Sequence, residues 1–307
     1  MHPNAPTSLA MIGLGRMGAN MSRRLARAGL SVHGFDSDEA ARAALADEPR
    51  VHTHAHLEQA VTTLVGPRVV WLMLPAGQVS EAAFEACSAL LRPGDVIVDG
   101  ANANYLDSQA RAGRARARDL HFVDCGVSGG VHGLANGYCL MLGGDGEAIS
   151  TLRPVIEALA PARDRGWAHC GKAGAGHFAK MIHNGIEYGM MQALAEGMSL
   201  LGGQPGLVAD PAAIAEAWRE GSVIRSWLLD LCAQAMADPQ TLAGIAPFVA
   251  DSGEGRWTVD EAIRQGTPIP VMAAALFARF DSQGSADPAN RLLAMMRKGF
   301  GGHAVRS

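Results

Sequence analysis

Short apolar runs alternate with amphipathic stretches through the first half of the chain. The runs are typical of buried strands and lie at 9–12, 31–35, 69–74, 96–98, 122–124 and 139–142. Between several of them apolar residues recur at helical spacing, which predicts helices over 16–28 and 80–91. This alternation of strand and helix indicates an α/β domain built on a mostly parallel sheet.

The pattern changes near residue 174. A single long helix is predicted over 176–201, and the rest of the chain is mostly helical, with breaks at Pro205, Pro211, Pro239 and Pro247. A length of 307 residues suits two domains. We therefore expect an α/β domain over 1–174, followed by an all-α domain over 175–307.

A glycine-rich turn joins the first predicted strand to the first predicted helix. It reads Gly13-Leu14-Gly15-Arg16-Met17-Gly18, and Asp36 ends the second predicted strand. A G-x-G-x-x-G alone is a weak signal, but this context is typical of a Rossmann-type dinucleotide site. In such a site Gly13 allows the tight turn, Gly15 lets the pyrophosphate approach, and Gly18 lets helix and strand pack closely. All six residues of the turn are therefore predicted to contact the cofactor.

Asp36 decides which nicotinamide cofactor we expect. A carboxylate at the end of the second strand accepts hydrogen bonds from the adenine ribose hydroxyls and repels a 2′-phosphate, which favours NAD over NADP. The alternative is a purely structural glycine turn followed by an Asp36 that caps a helix.

One face of the predicted long helix is polar. Lys180, His183, Asn184, Glu187 and Tyr188 stand at i, i+3, i+4, i+7 and i+8 and so share that face. A solvated outer face is the alternative, although it seldom concentrates His, Asn and Tyr. The apolar positions expected to pack inward are Met181, Ile182, Ile186 and Met190.

Lys180 and Glu187 are the candidate acid–base groups on this face. Desolvation lowers the pKa of a lysine towards working pH, so Lys180 is a candidate general base. A glutamate whose pKa is raised can donate a proton, which makes Glu187 a candidate general acid.

Two further polar segments follow predicted strands. Asp124-Cys125-Gly126-Val127-Ser128-Gly129-Gly130 offers the Ser128 hydroxyl and two glycine N–H groups that together can hold a carboxylate. A plain glycine-rich turn explains the same residues nearly as well. Asn102 follows the strand predicted at 96–98 and points to the same rim of the sheet.

Composition excludes several classes of protein. A net charge of −4 gives no reason to expect a nucleic acid, and no apolar stretch is long enough to suggest a membrane span. The five cysteines form no C-x-x-C pair, so we expect neither disulfides nor a metal site, as suits the reducing cytoplasm. We see no signal peptide. His52, His54 and His56 alternate along a polar stretch, where we favour a solvated loop over a metal site.

These motifs resemble those of known dehydrogenases. The glycine fingerprint, Ser128-Gly129-Gly130, and Lys180 with Asn184 resemble the β-hydroxyacid dehydrogenase superfamily. The run K-M-I-H-N-G-I-E-Y-G from Lys180 to Gly189 is narrower and resembles the signature of decarboxylating 6-phosphogluconate dehydrogenases in their short form. The resemblance covers essentially the whole chain.

The resemblance implies a decarboxylating enzyme of the pentose phosphate pathway and of gluconate utilisation. The long enzymes mostly favour NADP and use an Arg after the second strand; Asp36 departs from that pattern, which agrees with NAD. It implies that Lys180 takes the proton of the substrate 3-hydroxyl and that Glu187 protonates C1 after CO2 leaves. The residues that match sugar-acid contacts are Asn102, Ser128, Gly129, Gly130, His183 and Asn184. The Pro75-Ala76-Gly77 turn resembles the loop that lies against the nicotinamide half of the cofactor. The further residues expected to bind the cofactor, beside Pro75 and Ala76, are Leu74 and Asn102.

The resemblance also implies a phosphate site. Tyr188 and Arg279 match phosphate contacts, whereas Arg297 and His303 match residues that reach the phosphate of a neighbouring subunit. A homodimer or homotetramer with a shared active site is therefore expected. The G-R-W-T at 255–258 resembles the family's G-K-W-T, but Ser252 and Glu254 stand where long enzymes carry Lys and Thr, which puts the phosphate geometry in doubt.

Two alternatives remain open. Simpler hydroxyacid dehydrogenases, acting on 3-hydroxyisobutyrate or tartronate semialdehyde, resemble this chain at Lys180 and Asn184 but need no anion site. A non-catalytic NAD-binding sensor with the same fold would need neither Lys180 nor Glu187.

Overall fold

Eight strands pair into one sheet in the computed structural model, which describes residues 6–301 and side chains as far as Arg297. The strands are Ser8–Ile12 (β1), Ser31–Phe35 (β2), Val51–His54 (β3), Val69–Leu72 (β4), Val96–Asp99 (β5), His121–Ser128 (β6), Cys139–Gly144 (β7) and Trp167–Gly171 (β8). Their order is β3-β2-β1-β4-β5-β6-β7-β8, and all neighbours are parallel except β6 and β7. The predicted mostly parallel α/β sheet is confirmed.

Helices follow most strands and make up the second half of the chain. In the first half they are Arg16–Arg27 (α1), Glu39–Ala43 (α2), Leu57–Thr62 (α3), Gln78–Leu90 (α4), Tyr105–Arg116 (α5), Gly133–Asn136 (α6) and Gly146–Leu159 (α7), with a 3₁₀ turn at Gly130–His132. In the second half they are Ala175–Gly202 (α8), Pro211–Arg219 (α9), Trp227–Met236 (α10), Pro239–Ala243 (α11), Glu254–Gln265 (α12), Pro270–Ser282 (α13) and Asp287–Gly301 (α14). The predicted all-α region is therefore confirmed, and α8 matches the predicted long helix.

The chain divides into two compact units, residues 1–180 and 181–307. The first unit is a sheet with an apolar cluster on each face. Leu9 and Met11 of β1 belong to one cluster, and Ala10 and Ile12 belong to the other. Successive residues of a strand point to opposite faces, so a strand that is apolar throughout requires cover on both.

The second unit contains only helices among its described residues. Gly185 of α8 lies against Thr258 of α12 and Met272 of α13, and Met181, on the same side of the helix, is 1% exposed. The expected inward packing of Ile186 and Met190 is wrong, because they are 50% and 42% exposed. No helix between residues 6 and 301 is long and apolar enough to cross a membrane.

Two segments differ from the sequence-based expectation. β6 runs on to Ser128, so most of the glycine-rich segment that begins at Asp124 is strand rather than a turn after one. Of the alternating histidines, His56 stands just before α3, whereas His52 and His54 lie on the edge strand β3 rather than in a solvated loop. The pairing of β3 with β2 places His33 beside His54, with Nδ1 and Nε2 3.1 Å apart.

Candidate active site

The glycine turn after β1 has the geometry expected of a phosphate-binding loop. Gly13 has φ of +98°, and a Cβ there or at Gly18 would collide with backbone carbonyl oxygens. Gly15 differs, since a Cβ there would meet no heavy atom within 4 Å. α1 begins at Arg16, and no side chain caps its first N–H groups, which lack partners within the helix.

Asp36 stands at the end of β2, next to the glycine turn. Its Oδ2 accepts a hydrogen bond from the backbone N–H of Leu14 at 2.7 Å, and its Oδ1 accepts one from the N–H of Asp38 at 2.9 Å. Arg42 donates to its carbonyl oxygen at 2.7 Å. The helix cap in this segment is Asp38, which accepts from Ala40 and begins α2. The carboxylate of Asp36 is thus held beside the glycine turn without serving as a helix cap.

The other predicted contacts of the first unit end neighbouring parallel strands. Residues 74–76 follow β4, Asn102 follows β5, and Ser128 ends β6. Pro75, Ala76 and Asn102 are exposed. The carboxyl ends of parallel strands meet at one edge of a sheet, which is where α/β proteins bind their ligands.

Lys180, in the second turn of α8, packs against β6 near the carboxyl end of that strand. A Cβ at Gly126 would collide with the Cβ of Lys180, so the stem of the lysine packs directly on the strand backbone. Gly126 precedes Ser128 by two residues, while Gly129 and Gly130 follow with φ of +124° and +50°. The structure therefore brings Lys180 and the Ser128-Gly129-Gly130 segment together within the first unit.

The remaining polar residues of α8 belong to the second unit. His183 Nδ1 lies 3.0 Å from Asn184 Oδ1 and 3.7 Å from Glu187 Oε2. The helix is unbroken from Ala175 to Gly202, so the predicted spacing on one face is preserved. Asn184 is buried, whereas His183 and Glu187 are half-buried.

Tyr188 forms the centre of a second polar cluster in this unit. The guanidinium carbon of Arg279 lies 3.5 Å from the centroid of the Tyr188 ring, a cation–π contact. The hydroxyl of Ser252 lies 3.3 Å from that of Tyr188, and Arg279 donates to the carbonyl of Ala250 at 2.7 Å. The structure thus brings together Tyr188, Ser252 and Arg279, three residues separated widely in sequence.

The sequence reasoning assigned no role to Arg256 or Asp251, which lie near this cluster. Arg256 donates to both carboxylate oxygens of Asp251, at 3.1 and 3.0 Å, and this bonding lowers the pKa of Asp251; the charge of Arg279 adds to the effect. The G-R-W-T motif was the signal for Arg256. Glu254 is 2% exposed, and Arg297 is exposed on α14. His303 lies outside the described residues.

Known proteins resemble this chain over nearly its whole length. Residues 8–171 match the NAD binding domain of 6-phosphogluconate dehydrogenase, and residues 176–301 match the C-terminal domain of the same enzyme. The first unit is accordingly a nicotinamide-dinucleotide-binding domain of an oxidoreductase. The chain belongs to the 6-phosphogluconate dehydrogenase family, which confirms the resemblance drawn from its motifs.

Individual relatives cover the chain almost completely. An NAD(+)-dependent, decarboxylating 6-phosphogluconate dehydrogenase of Haloferax volcanii is 40% identical over 97% of this chain and 98% of its own length. A putative 6-phosphogluconate dehydrogenase of Bacillus subtilis is 38% identical over the same shares.

A solved 6-phosphogluconate dehydrogenase of Plasmodium falciparum superimposes with a TM-score of 0.82 at 26% identity. It was studied with NADP+ and with 6-phosphogluconate, and the match covers 96% of this chain but only 65% of that one.

Proposed function

We propose that this chain oxidises and decarboxylates 6-phosphogluconate to ribulose 5-phosphate and CO2, with NAD as its cofactor. The observation that carries the proposal is α8, which bears Lys180 on the end of β6 and then His183, Asn184, Glu187 and Tyr188 on the same helical face. The family of the chain and the names of its nearly full-length relatives support the same reaction. The proposal includes a location in the cytoplasm. It also includes a role in the pentose phosphate pathway and in gluconate utilisation.

The residues of the first unit fit a bound nicotinamide dinucleotide. The open space above Gly15 and the uncapped start of α1 suit the pyrophosphate, and Asp36 suits the adenine ribose. Leu14, Arg16 and Met17 complete the turn, and residues 74–76 with Asn102 would hold the nicotinamide half. A bound nicotinamide would supply an acceptor for the hydride that leaves C3 of the substrate.

Lys180 and Glu187 would move the protons of the reaction. As the hydride leaves C3, the neutral amine of Lys180 takes the proton of the 3-hydroxyl, and a β-keto acid results. The ammonium of Lys180 then donates its proton to the ketone oxygen as the bond from C2 to the carboxyl carbon breaks, and CO2 departs to leave an enediol. Glu187 protonates C1 of this enediol while the amine of Lys180 takes back the hydroxyl proton at C2, which gives ribulose 5-phosphate.

The other polar groups would bind and orient the sugar acid. Ser128, Gly129 and Gly130 present a hydroxyl and N–H groups to the substrate carboxylate, with Asn102, His183 and Asn184 on the hydroxyl groups. Tyr188 and Arg279 would bind the phosphate, because they already stand together in the second unit. Arg297 and His303 would come from a neighbouring copy, so the enzyme would work as a homodimer or homotetramer.

The decisive assay offers the purified protein 6-phosphogluconate with NAD and, separately, NADP. We expect one CO2 and one ribulose 5-phosphate for each nucleotide reduced, with NAD the better cofactor. The same assay with gluconate, 3-hydroxyisobutyrate and tartronate semialdehyde tests the simpler dehydrogenases. Reduction of nucleotide without release of CO2 would refute decarboxylation, and nucleotide binding without turnover on any acid would favour a sensor.

Glu187→Gln sharpens the test of the proton donor. We expect turnover to fall by about 10² to 10⁴, the usual scale for a lost general acid. Glu196→Gln is the matched control, since Glu196 lies further along α8, is exposed and bonds to Gln192. If both variants turn over like the parent, Glu187 has no place in the mechanism.

Asp36→Asn tests the choice of cofactor. The amide keeps the shape of the carboxylate but loses its charge, so repulsion of a 2′-phosphate is removed. We expect kcat/KM with NADP to rise relative to kcat/KM with NAD, while kcat with 6-phosphogluconate changes little. An unchanged ratio would show that Asp36 does not discriminate between the cofactors.

A further inference from the structure

The buried carboxylate of Asp124 lies outside the proposed acid–base pair, two residues before Gly126, against which the stem of Lys180 packs. We propose that Asp124 is the positioning residue for Lys180: it holds the first turn of α8 on the sheet and thereby decides where the lysine stands. The inference rests on the role proposed for Lys180.

Asp124 ties the start of α8 to the middle of β6. Its side chain is fully buried. Oδ1 accepts a hydrogen bond from the N–H of Gly174 at 2.5 Å, and Oδ2 accepts one from the N–H of His177 at 2.7 Å. The first N–H groups of a helix lack partners within the helix and are usually capped by a side chain nearby in sequence. Here the cap comes from a strand about fifty residues earlier, so it also sets the position of the helix on the sheet.

Three glycines let this first turn rest directly on the strand backbones. A Cβ at Gly176 would stand 2.6 Å from the carbonyl oxygen of Asp124, and one at Gly143 of β7 would stand 2.7 Å from the nitrogen of Gly176. At Gly126 an added Cβ would collide with the Cβ of Lys180. Backbone packed on backbone leaves no side chain that could adapt to a shift of the helix, so a small displacement at Asp124 carries Lys180 with it.

His177 anchors the same turn from its side chain. The ring is 2% exposed, and Nδ1 lies 2.7 Å from the hydroxyl of Ser108 on α5. The backbone N–H of His177 donates one of the two hydrogen bonds that Asp124 accepts. Lys180 follows His177 by one helical turn. The start of α8 is therefore held by β6 through Asp124 and by α5 through Ser108.

A carboxylate suits this position better than its neutral isostere. Both oxygens of Asp124 accept hydrogen bonds from backbone donors. An asparagine would keep one acceptor but point its NH2 group at the other N–H, so one end of the cap would repel the helix. Burial raises the pKa of Asp124, while His177 and the two N–H donors oppose that rise.

The first unit contains a second carboxylate of the same kind, which serves as a matched control. Asp95 is 5% exposed and accepts hydrogen bonds from the backbone N–H groups of Arg68 and Arg92, both at 2.8 Å. It precedes β5 and so lies at the amino edge of the sheet, opposite the edge that carries the proposed site. Asp124→Asn and Asp95→Asn therefore each replace a buried carboxylate that accepts two backbone hydrogen bonds, at opposite edges of the same sheet.

The experiment compares these two variants with the parent protein by thermal unfolding, nucleotide affinity, steady-state kinetics and amide hydrogen exchange. We expect both variants to unfold at lower temperature and to keep the Kd for NAD within about twofold, since neither touches the glycine turn. Asp124→Asn alone should lower kcat by about 10- to 100-fold, the scale of a misplaced catalytic group, with a smaller change in KM. It should also shift the acidic limb of the pH–rate profile, because the proposed base Lys180 must be neutral to act, and amide exchange over 175–184 should accelerate.

Several outcomes would overturn the inference. Equal losses of kcat in the two variants would mean that the loss reports stability alone, and an Asp124→Asn protein with parental kcat would remove Asp124 from any positioning role. If Asp124→Asn does not fold, Gly126→Ala replaces it, because the added methyl pushes on Lys180 from the strand; parental kcat in that folded variant would refute the inference. If the parent protein fails to turn over 6-phosphogluconate, the proposed function fails, while faster exchange in Asp124→Asn alone would still support the positioning of α8.

Discussion

The two units of the chain bury their apolar residues to different degrees. In the first unit two large clusters cover both faces of the sheet, and few large apolar side chains are exposed. In the second unit the described clusters are small, one around Tyr188 and Leu276 and one around Met198 and Ala233. Most of the exposed large apolar side chains between residues 6 and 297 belong to the second unit.

This difference indicates two ways of reaching stability. A parallel sheet covered by helices on both faces completes its own core. The helices of the second unit leave apolar faces open, together with a cavity of about 430 Å³ whose walls include Met190, Trp218 and Ile224. Large exposed apolar surface is rare on a monomer and marks an interface. The exposed apolar surface of the second unit therefore supports the proposed homo-oligomer, in which this surface would be buried against another copy of the chain.

The largest expected effect separates the two cores. Leu140→Ala in β7 should lower the free energy of unfolding by about 4 kcal/mol, because the fully buried leucine sits in a large cluster that cannot collapse around the cavity. Leu276→Ala in α13 should lower it by about 2 kcal/mol, since its cluster is small. Urea unfolding followed by circular dichroism measures both. Equal losses would mean that the second unit packs as tightly as the first.

A smaller effect is expected on association. Ile224→Asp places a charge on the wall of the apolar cavity and should weaken self-association by about 3 kcal/mol, on the order of 100-fold in Kd. Val65→Asp is the control, since Val65 is an 89% exposed residue of the first unit. Analytical ultracentrifugation reports both. If Ile224→Asp associates like the parent, this cavity is not part of an interface.

The smallest effect concerns the edge of the first unit. Burial lowers the pKa of His33 and His54, and the neighbouring histidines lower it further, so the folded protein binds these protons less readily than the unfolded chain. The free energy of unfolding should therefore be unaffected by these histidines above about pH 6.5, the ordinary histidine pKa. It should decrease as the pH falls below that value, because the unfolded chain then binds protons that the folded protein does not. His54→Gln should flatten the decline in Tm between pH 7 and pH 5. An unchanged slope in His54→Gln would show that these histidines do not cause the decline.

Local patterns in the chain were sufficient for the central strands and for the glycine turn. The strand predicted at 31–35 matches β2 residue for residue, and the long helix differs from α8 by one residue at each end. Both rest on spacing between near neighbours in sequence, which backbone geometry converts directly into faces of a strand or helix. The edge strands β3 and β8 were missed, because an edge strand is buried less and lacks a continuous apolar run.

The sequence by itself determined which functional groups each element carries. It placed the glycine N–H groups and Asp36 around the turn after β1, and the polar side chains on one face of α8. Only the tertiary structure decided the long-range contacts, such as Asp124 on the start of α8 and Arg279 over Tyr188. It also decided that Ile186 and Met190 face outward. The reason is physical: helical and strand periodicity is a property of neighbouring residues, whereas a cap from another strand or an open apolar face depends on how whole elements pack.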